Sequence, residues 1–192
     1  MSPRPRPGDE FPLPPEVHPK EAGVLILLFP GATGLAFFLT RRTETVENHK
    51  GQISLPGGGQ HVGEPLDQTA LRETSEELGV DAASMHLLGG PLTPLYIPVS
   101  GFRATAFVAH SLEHPRVLAE PGEVLEIIEA PLALIVDEHN IAEEVWEIRG
   151  QQVIVPFFNV LGNKVWGATA MILGEFAEML RQVRVGVHHG VS

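Results

Sequence analysis

The apolar positions of this chain change period along its length, and the changes mark its elements. Residues 24–29, VLILLF, form an unbroken apolar run of strand length, well short of the ~18 residues that a membrane span needs. They predict a strand over Gly23–Phe29, a turn at Pro30-Gly31-Ala32-Thr33 and a second strand over Gly34–Thr40. Residues 41–51 are polar without a period and read as a loop, and Gln52–Leu55 reads as a short strand stopped by Pro56 and the glycines after it. A helical period then takes over from Pro65 to Leu78. Proline suits a first helical turn, and Gly79 stands where a helix ends.

Further on, Met85–Gly90, Arg103–His110, Val124–Glu129, Glu143–Arg149 and Gln151–Val155 read as strands, with a short helical turn over Pro131–Val136 and a final helix over Val165–Val183. Without internal repeat or linker, this order predicts an α/β fold, a mixed β-sheet packed between helices. Its boundaries divide the chain into a proline-rich arm (1–20), a single domain (21–185) and a flexible tail (186–192). The arm lacks the apolar centre of a signal peptide.

The first helix carries an unusual face. Its Glu73, Glu76 and Glu77 project from one side at roughly 3.6 residues per turn, while Leu71, Thr74 and Leu78 lie about 100–160° round from Glu73 and face inward. Like charges so spaced repel by about 0.2–0.5 kcal/mol per pair. Interleaved lysines would relieve the repulsion, and none is present. A divalent cation over the face relieves it, because hard ions take carboxylate oxygens.

Composition narrows the chemistry. With no cysteine the chain has no disulfide, thiolate zinc site or cysteine nucleophile, which leans towards a cytoplasmic location. A formal net charge of -11 argues against a nucleic-acid binder, which needs basic patches. A phosphorylated small molecule remains open, since metal ions bridge acidic protein to acidic ligand. Two linked phosphates repel hydroxide, so their hydrolysis calls for a cation that neutralises the oxygens and lowers the pKa of a water.

The spacing Gly58, five residues, Glu64, seven residues, Arg72-Glu73-Thr74-Ser75-Glu76-Glu77-Leu78-Gly79-Val80 resembles the Nudix box, in which a loop, a helix and a loop hold a divalent metal against a diphosphate. Only Thr74 departs, standing for the usual aliphatic residue on the packing face. The resemblance implies a Nudix-type α/β/α sandwich that hydrolyses a nucleoside diphosphate linked to another group. It makes Glu76 and Glu77 the principal ligands of Mg²⁺ or Mn²⁺, with Glu73 a further ligand or the partner of a metal-bound water. Arg72 would pair with Glu64 or Glu73 in a structural role, and Gly57 and Gly58 would shape the approach of substrate. The general base varies among such enzymes; Glu123 is the candidate here and Glu120 the alternative.

A second block, Leu39-Thr40-Arg41-Arg42 followed after six residues by His49-Lys50-Gly51-Gln52-Ile53-Ser54-Leu55-Pro56-Gly57-Gly58, resembles the extra motif of the Nudix coenzyme A pyrophosphatases. Pro98–Phe102, Glu123-Val124 with Pro131-Leu132, and Val165–Ala170 are similar to that family's later blocks. Products would then be 3',5'-ADP and 4'-phosphopantetheine, with Arg42, His49 and Lys50 as phosphate contacts. Taken singly, Arg42 reads as a surface arginine, His49 as a loop histidine and Trp166 as a core residue. Glu47 and Asn48 depart from the basic and small hydroxyl residues of that motif, which keeps other substrates such as ADP-ribose or NADH open, and His61 stands where a carboxylate is common. A module that senses a nucleotide without cleaving it is the contrasting class, but such modules commonly lose box carboxylates that this chain keeps. His188 and His189 read as tail residues, His110, His114 and His139 show no ligand spacing, and Asp137, Glu138, Glu143 and Glu144 read as a solvated acidic edge. No membrane contact is expected. Homodimerisation is a further expectation, since related enzymes often pair.

Overall fold

The computed structural model describes residues 18–43, 52–148 and 151–188. Most of the proline-rich arm, the end of the tail, and Glu47, Asn48, His49 and Lys50 therefore lie outside the described residues.

The chain folds into a mixed sheet with helices on its two faces. β1 (Lys20–Gly31) and β2 (Gly34–Arg42) form a hairpin paired from Leu28↔Phe37 to Gly31↔Gly34. Both strands outrun the expected ones, and the turn shrinks to Ala32-Thr33. Beyond Leu28 and Phe37 the two strands separate. The fork is filled by β3 (Ile53–Ser54), which pairs with β2 at Thr40 and Arg41, and by β4 (Gly57–Gly59), which pairs with β1 at Ala22, Gly23 and Val24. Pro56 crosses between them, and its carbonyl accepts the Leu25 N–H at 2.9 Å.

On the outer edge of β1 runs β7 (Phe102–His110), its one parallel neighbour, flanked in turn by β5 (His86–Leu87) and β6 (Leu95–Ile97). On the outer edge of β2 runs β8 (Val124–Pro131), with a register shift between Arg41 and Arg42. Such a bulge re-aims the side chains beside it.

The unbroken apolar run of β1 is explained by burial on both faces. Leu25, Leu27 and Phe29 join Phe38, Ala70 and Leu78 in a core beneath α1 (Leu66–Leu78). Ile26 and Leu28 join Phe37, Leu39, Phe158 and Leu173 in a second core beneath α3 (Gly167–His188). That helix starts later than Val165 because Val165 and Trp166 close β11 (Asn163–Trp166), which pairs with β10 (Gln151–Val160) beside β9 (Ile141–Ile148). Leu161 and Gly162 join β10 to β11 with φ of 52° and 81°, the positive pair that tight hairpin turns need. β10 runs past Pro156, which a strand tolerates where its neighbour has ended; β11 reaches only to Phe157. The short α2 (Ala133–Val136) is held at its end by Arg181, which donates to the Ile135 and Val136 carbonyls. Among the described residues no helix is long and apolar enough to cross a membrane.

Candidate active site

α1 lies across the fork. Pro65 is its N-cap in an extended conformation, one residue earlier than its expected place inside the first turn, and Gly79 ends it at φ 67° with its N–H bonded to Ser75 O at 2.8 Å. The buried side comprises Thr69, Ala70, Thr74, Glu77 and Leu78. Leu71, expected inside, is only half-buried. The hydroxyl of Thr74 donates to the Ala70 carbonyl at 2.7 Å, so the departure from an aliphatic residue leaves no buried polar atom unsatisfied.

The three helix carboxylates share a side but not an environment. Glu76 is exposed, Glu73 keeps 15% of its side chain accessible, and Glu77 is buried. Arg72 gathers the outer members. It grips Glu64 with a two-pronged contact at 2.8 and 3.0 Å, reaches Glu73 at 2.8 Å and Glu76 at 3.1 Å, and donates to the Gly59 carbonyl at 3.1 Å. Glu64 also accepts from the Thr69 hydroxyl and the His61 N–H. The Arg72 contact, helped by Thr69 and His61, holds the Glu64 carboxyl down at about 2, and Arg72 is raised in return. The His61 side chain faces solvent.

Glu77 is the opposite case. Its Oε2 accepts the Gly57 N–H at 3.2 Å. Burial pushes its carboxyl up to about 7, against that hydrogen bond and the charge of Arg42, and the charges of Glu123 and Glu73 push the same way as burial. Arg42 reaches this place from the bulge at the end of β2. Its Nε is buried without a hydrogen-bond partner among the described residues. Arg41, on the other side of the strand, is tied to Glu126 and Asn163.

Glu123 and Glu120 come from the segment between β7 and β8, a connection the spacing of the sequence does not reveal. The Leu118 N–H bonds the Leu78 carbonyl at 2.7 Å and the Glu120 N–H bonds the Glu77 carbonyl at 3.1 Å. The segment thus straps the last turn of α1 before turning into β8. Both acidic side chains are exposed.

The glycines explain the closeness of loop and helix. A Cβ on Gly58 would overlap the Glu73 carboxylate, with Oε1 at 2.7 Å, and a Cβ on Gly23 would press into the helix backbone, with the Ala70 nitrogen at 2.8 Å. By sequence alone Gly23 reads only as a strand residue. At Gly167 an added Cβ would meet only Gln52 Nε2 at 3.7 Å, and it is the φ of 67° that favours glycine there.

Among the described residues no group of three or more His, Asp or Glu side chains converges as a metal cage. Arg72 draws Glu73 and Glu76 to one side while Glu77 turns to Gly57. The donor set itself suits a hard divalent cation, being carboxylate oxygens beside a glycine loop. Elsewhere the histidines are occupied singly: His110 beside His86, His114 on Glu129 and His139 on Asp137. The acidic edge is partly paired, Glu144 with Lys164 and Glu138 with Arg181. Trp166 is half-buried, its ring edge-to-face with Trp146 at 4.7 Å. An open depression of about 840 Å³ between Leu35, Val136 and Arg181 lies at the far end of β2 and contains none of the box residues.

A family model described as NUDIX domain matches residues 19–147. Nudix hydrolase 15, mitochondrial, from Arabidopsis thaliana is 33% identical over 173 residues, covering 83% of this chain and 58% of that protein. The uncharacterized Nudix hydrolase NudL from Photorhabdus laumondii is 33% identical over 155 residues, covering 74% of this chain and 76% of that protein. The chain thus spans 58% of the length of the plant relative. Among solved structures, the M. smegmatis Nudix hydrolase RenU superposes with a TM-score of 0.55 at 17% identity, covering 91% of this chain and 89% of that one. A MutT/nudix family protein from Enterococcus faecalis does so with 0.57 at 19% identity, covering 89% and 66%. These likenesses are of fold.

Proposed function

Because this chain belongs to the NUDIX domain family, we propose that it hydrolyses the diphosphate bond of a nucleoside diphosphate derivative, and that the derivative is coenzyme A or a close relative of it. The observation that carries the reading is that the charge of Arg42 acts on buried Glu77 without an ion pair between them, while the Arg42 Nε is buried with no partner among the described residues. The upstream block and the box, separated in sequence, supply one place with a carboxylate and a cationic donor whose Nε has no described acceptor. A phosphate oxygen would satisfy that donor.

In this proposal Glu73, Glu76 and Glu77 would hold Mg²⁺ or Mn²⁺, which when bound neutralises phosphate oxygens and lowers the pKa of a water. Arg42 orients the diphosphate, and Gly57 and Gly58 let it approach the loop backbone closely. Glu123 takes the proton of the attacking water as its oxygen bonds to phosphorus and the bridging P–O bond breaks. Arg72 and Glu64 keep the loop fixed on the helix. His49 and Lys50, outside the described residues, would extend the phosphate contacts. From coenzyme A the products would be 3',5'-ADP and 4'-phosphopantetheine. Acidic Glu47 favours a second reading within the same reaction, an ADP-ribose or NADH pyrophosphatase, because it would repel a 3'-phosphate.

The test is a panel of coenzyme A, ADP-ribose and NADH with Mg²⁺ or Mn²⁺, the products identified by mass spectrometry in ¹⁸O-labelled water. Release of 3',5'-ADP from coenzyme A at the highest kcat/KM is expected. No release from coenzyme A would overturn the substrate. Binding without turnover of any member would overturn the reaction.

A further inference from the structure

We infer that Thr43 is a positioning residue for the general base, fixing the turn that presents Glu123 to Glu77. This rests on the reading of Glu123 as that base. The Glu123 carboxylate makes no hydrogen bond or ion pair to a described residue, so its place is set by its backbone. That backbone follows Pro121-Gly122, the most permissive pair in the strap. Thr43 grips both peptide units that matter: its N–H donates to the Glu123 carbonyl at 3.1 Å, and its hydroxyl donates to the Gly122 carbonyl at 3.1 Å.

The geometry of β2 explains why Thr43 can do so. The register shift at Arg41/Arg42 skips Leu125 and pairs Arg42 with Val124, so the residue that follows lies opposite the turn that delivers Glu123 and gives it both of its donors. Thr43 is buried, so the two bonds form away from competing water and their loss is felt. The same residue directly follows Arg42, which links the phosphate-facing donor and the base-bearing turn through one peptide unit. The strap is fixed at its other end to α1 through Leu118 and Glu120. Thr43 therefore closes the loop of contacts that sets the distance between Glu123 and Glu77. A misplacement on the order of 1 Å costs up to about a hundredfold in rate.

The experiment measures kcat and KM of full-length T43V, T43S, E123Q and T43V/E123Q on coenzyme A and ADP-ribose at saturating Mg²⁺. T43V removes the hydroxyl at constant shape. It is expected to lower kcat about tenfold with KM within about twofold, and T43S, which keeps the hydroxyl, to recover to within about threefold of the parent. In the E123Q background T43V should have no further effect, because a residue acting through Glu123 has nothing left to position. Equal loss in T43S and T43V, a loss confined to KM, or full additivity in the double variant would overturn the inference. Full activity of E123Q would instead remove the base reading, and this inference with it. Should T43V fail to fold, T43A carries the same comparison.

Discussion

Glu64 and Glu77 stand at the two ends of one loop-helix unit, and their surroundings are opposite. Glu64 is met by both prongs of Arg72, a threonine hydroxyl and a backbone N–H, and its carboxyl is held down at about 2. Glu77 is buried with one backbone N–H and a more distant arginine, faces the charges of Glu123 and Glu73, and is pushed up to about 7. The first arrangement makes charge and structure agree. The second keeps a carboxylate where its charge is unwelcome, which a fold retains when some partner outside the chain answers the charge. Bracing is thus concentrated on the outer side of the helix and chemical demand on the inner.

The largest expected effect separates activity from stability. Glu77→Gln should lower kcat/KM by roughly a thousandfold, the scale of removing one group aimed at transition-state charge. Metal-free protein carrying it should melt no lower than the parent at about pH 8, because a buried charge has been exchanged for a neutral amide that still accepts from Gly57. Loss of Tm together with activity would mean that Glu77 is scaffold like Glu64.

The pH dependence of the metal-free fold sharpens the same contrast. A carboxyl raised from 4.5 to about 7 on folding contributes stability that is complete below about pH 4.5 and is lost as pH rises through about 7, by roughly 3 kcal/mol in all. Glu64 has the reverse sign: its contribution is present above about 4.5 and is lost only as pH falls towards 2. The window between about pH 4.5 and 7 therefore belongs to Glu77. Denaturant unfolding across it should show stability falling as pH rises, and the slope should flatten in E77Q. Saturating Mg²⁺ should flatten it too, by favouring the charged, folded form. Subtracting E77Q from the parent cancels His114, whose pKa is raised by Glu129 and whose loss of stability with rising pH has the same sign. A parallel pair of curves would break the comparison.

Local pattern carried the box, because every element of it is a spacing on one helix or a glycine beside it. The side shared by Glu73, Glu76 and Glu77 follows from helical period alone. Their inequality does not, since Glu77 is buried by β4 and by the strap from Leu118 to Glu123, which reach it from distant sequence. The same holds for Gly23, whose missing side chain matters only once α1 lies across β1. Val165 and Trp166 belong to a strand rather than to the predicted helix for a related reason: two apolar residues before a helical period look like its first turn until Phe157 and Phe158 pair with them. Arg42 could be picked out by its motif, but the bulge that brings it towards Glu77 is a property of the β2 and β8 ladder.

Arg72→Ala tests the braced side, with a smaller effect and in the other quantity. Arg72 makes five hydrogen bonds, two of them to Glu64, and its removal leaves Glu64 and Glu73, with only 17% and 15% of their side chains accessible, without their cation. Stranding a fully buried partner costs about 3–5 kcal/mol, and the residual exposure here reduces that to about 2. Glu76, 59% accessible, adds little, because an exposed pair is worth under about 1 kcal/mol. For a chain of this size the loss is about 4–8 °C in Tm. Activity should fall by about tenfold, through a loosened Gly58 loop, far less than in E77Q. R72K should recover only part of the Tm, since an ammonium restores the charge but not the fork that spans both Glu64 oxygens. If R72A instead abolished turnover at an unchanged Tm, the division into a braced side and a reactive side would be reversed, and Arg72 would belong with the groups that meet the substrate.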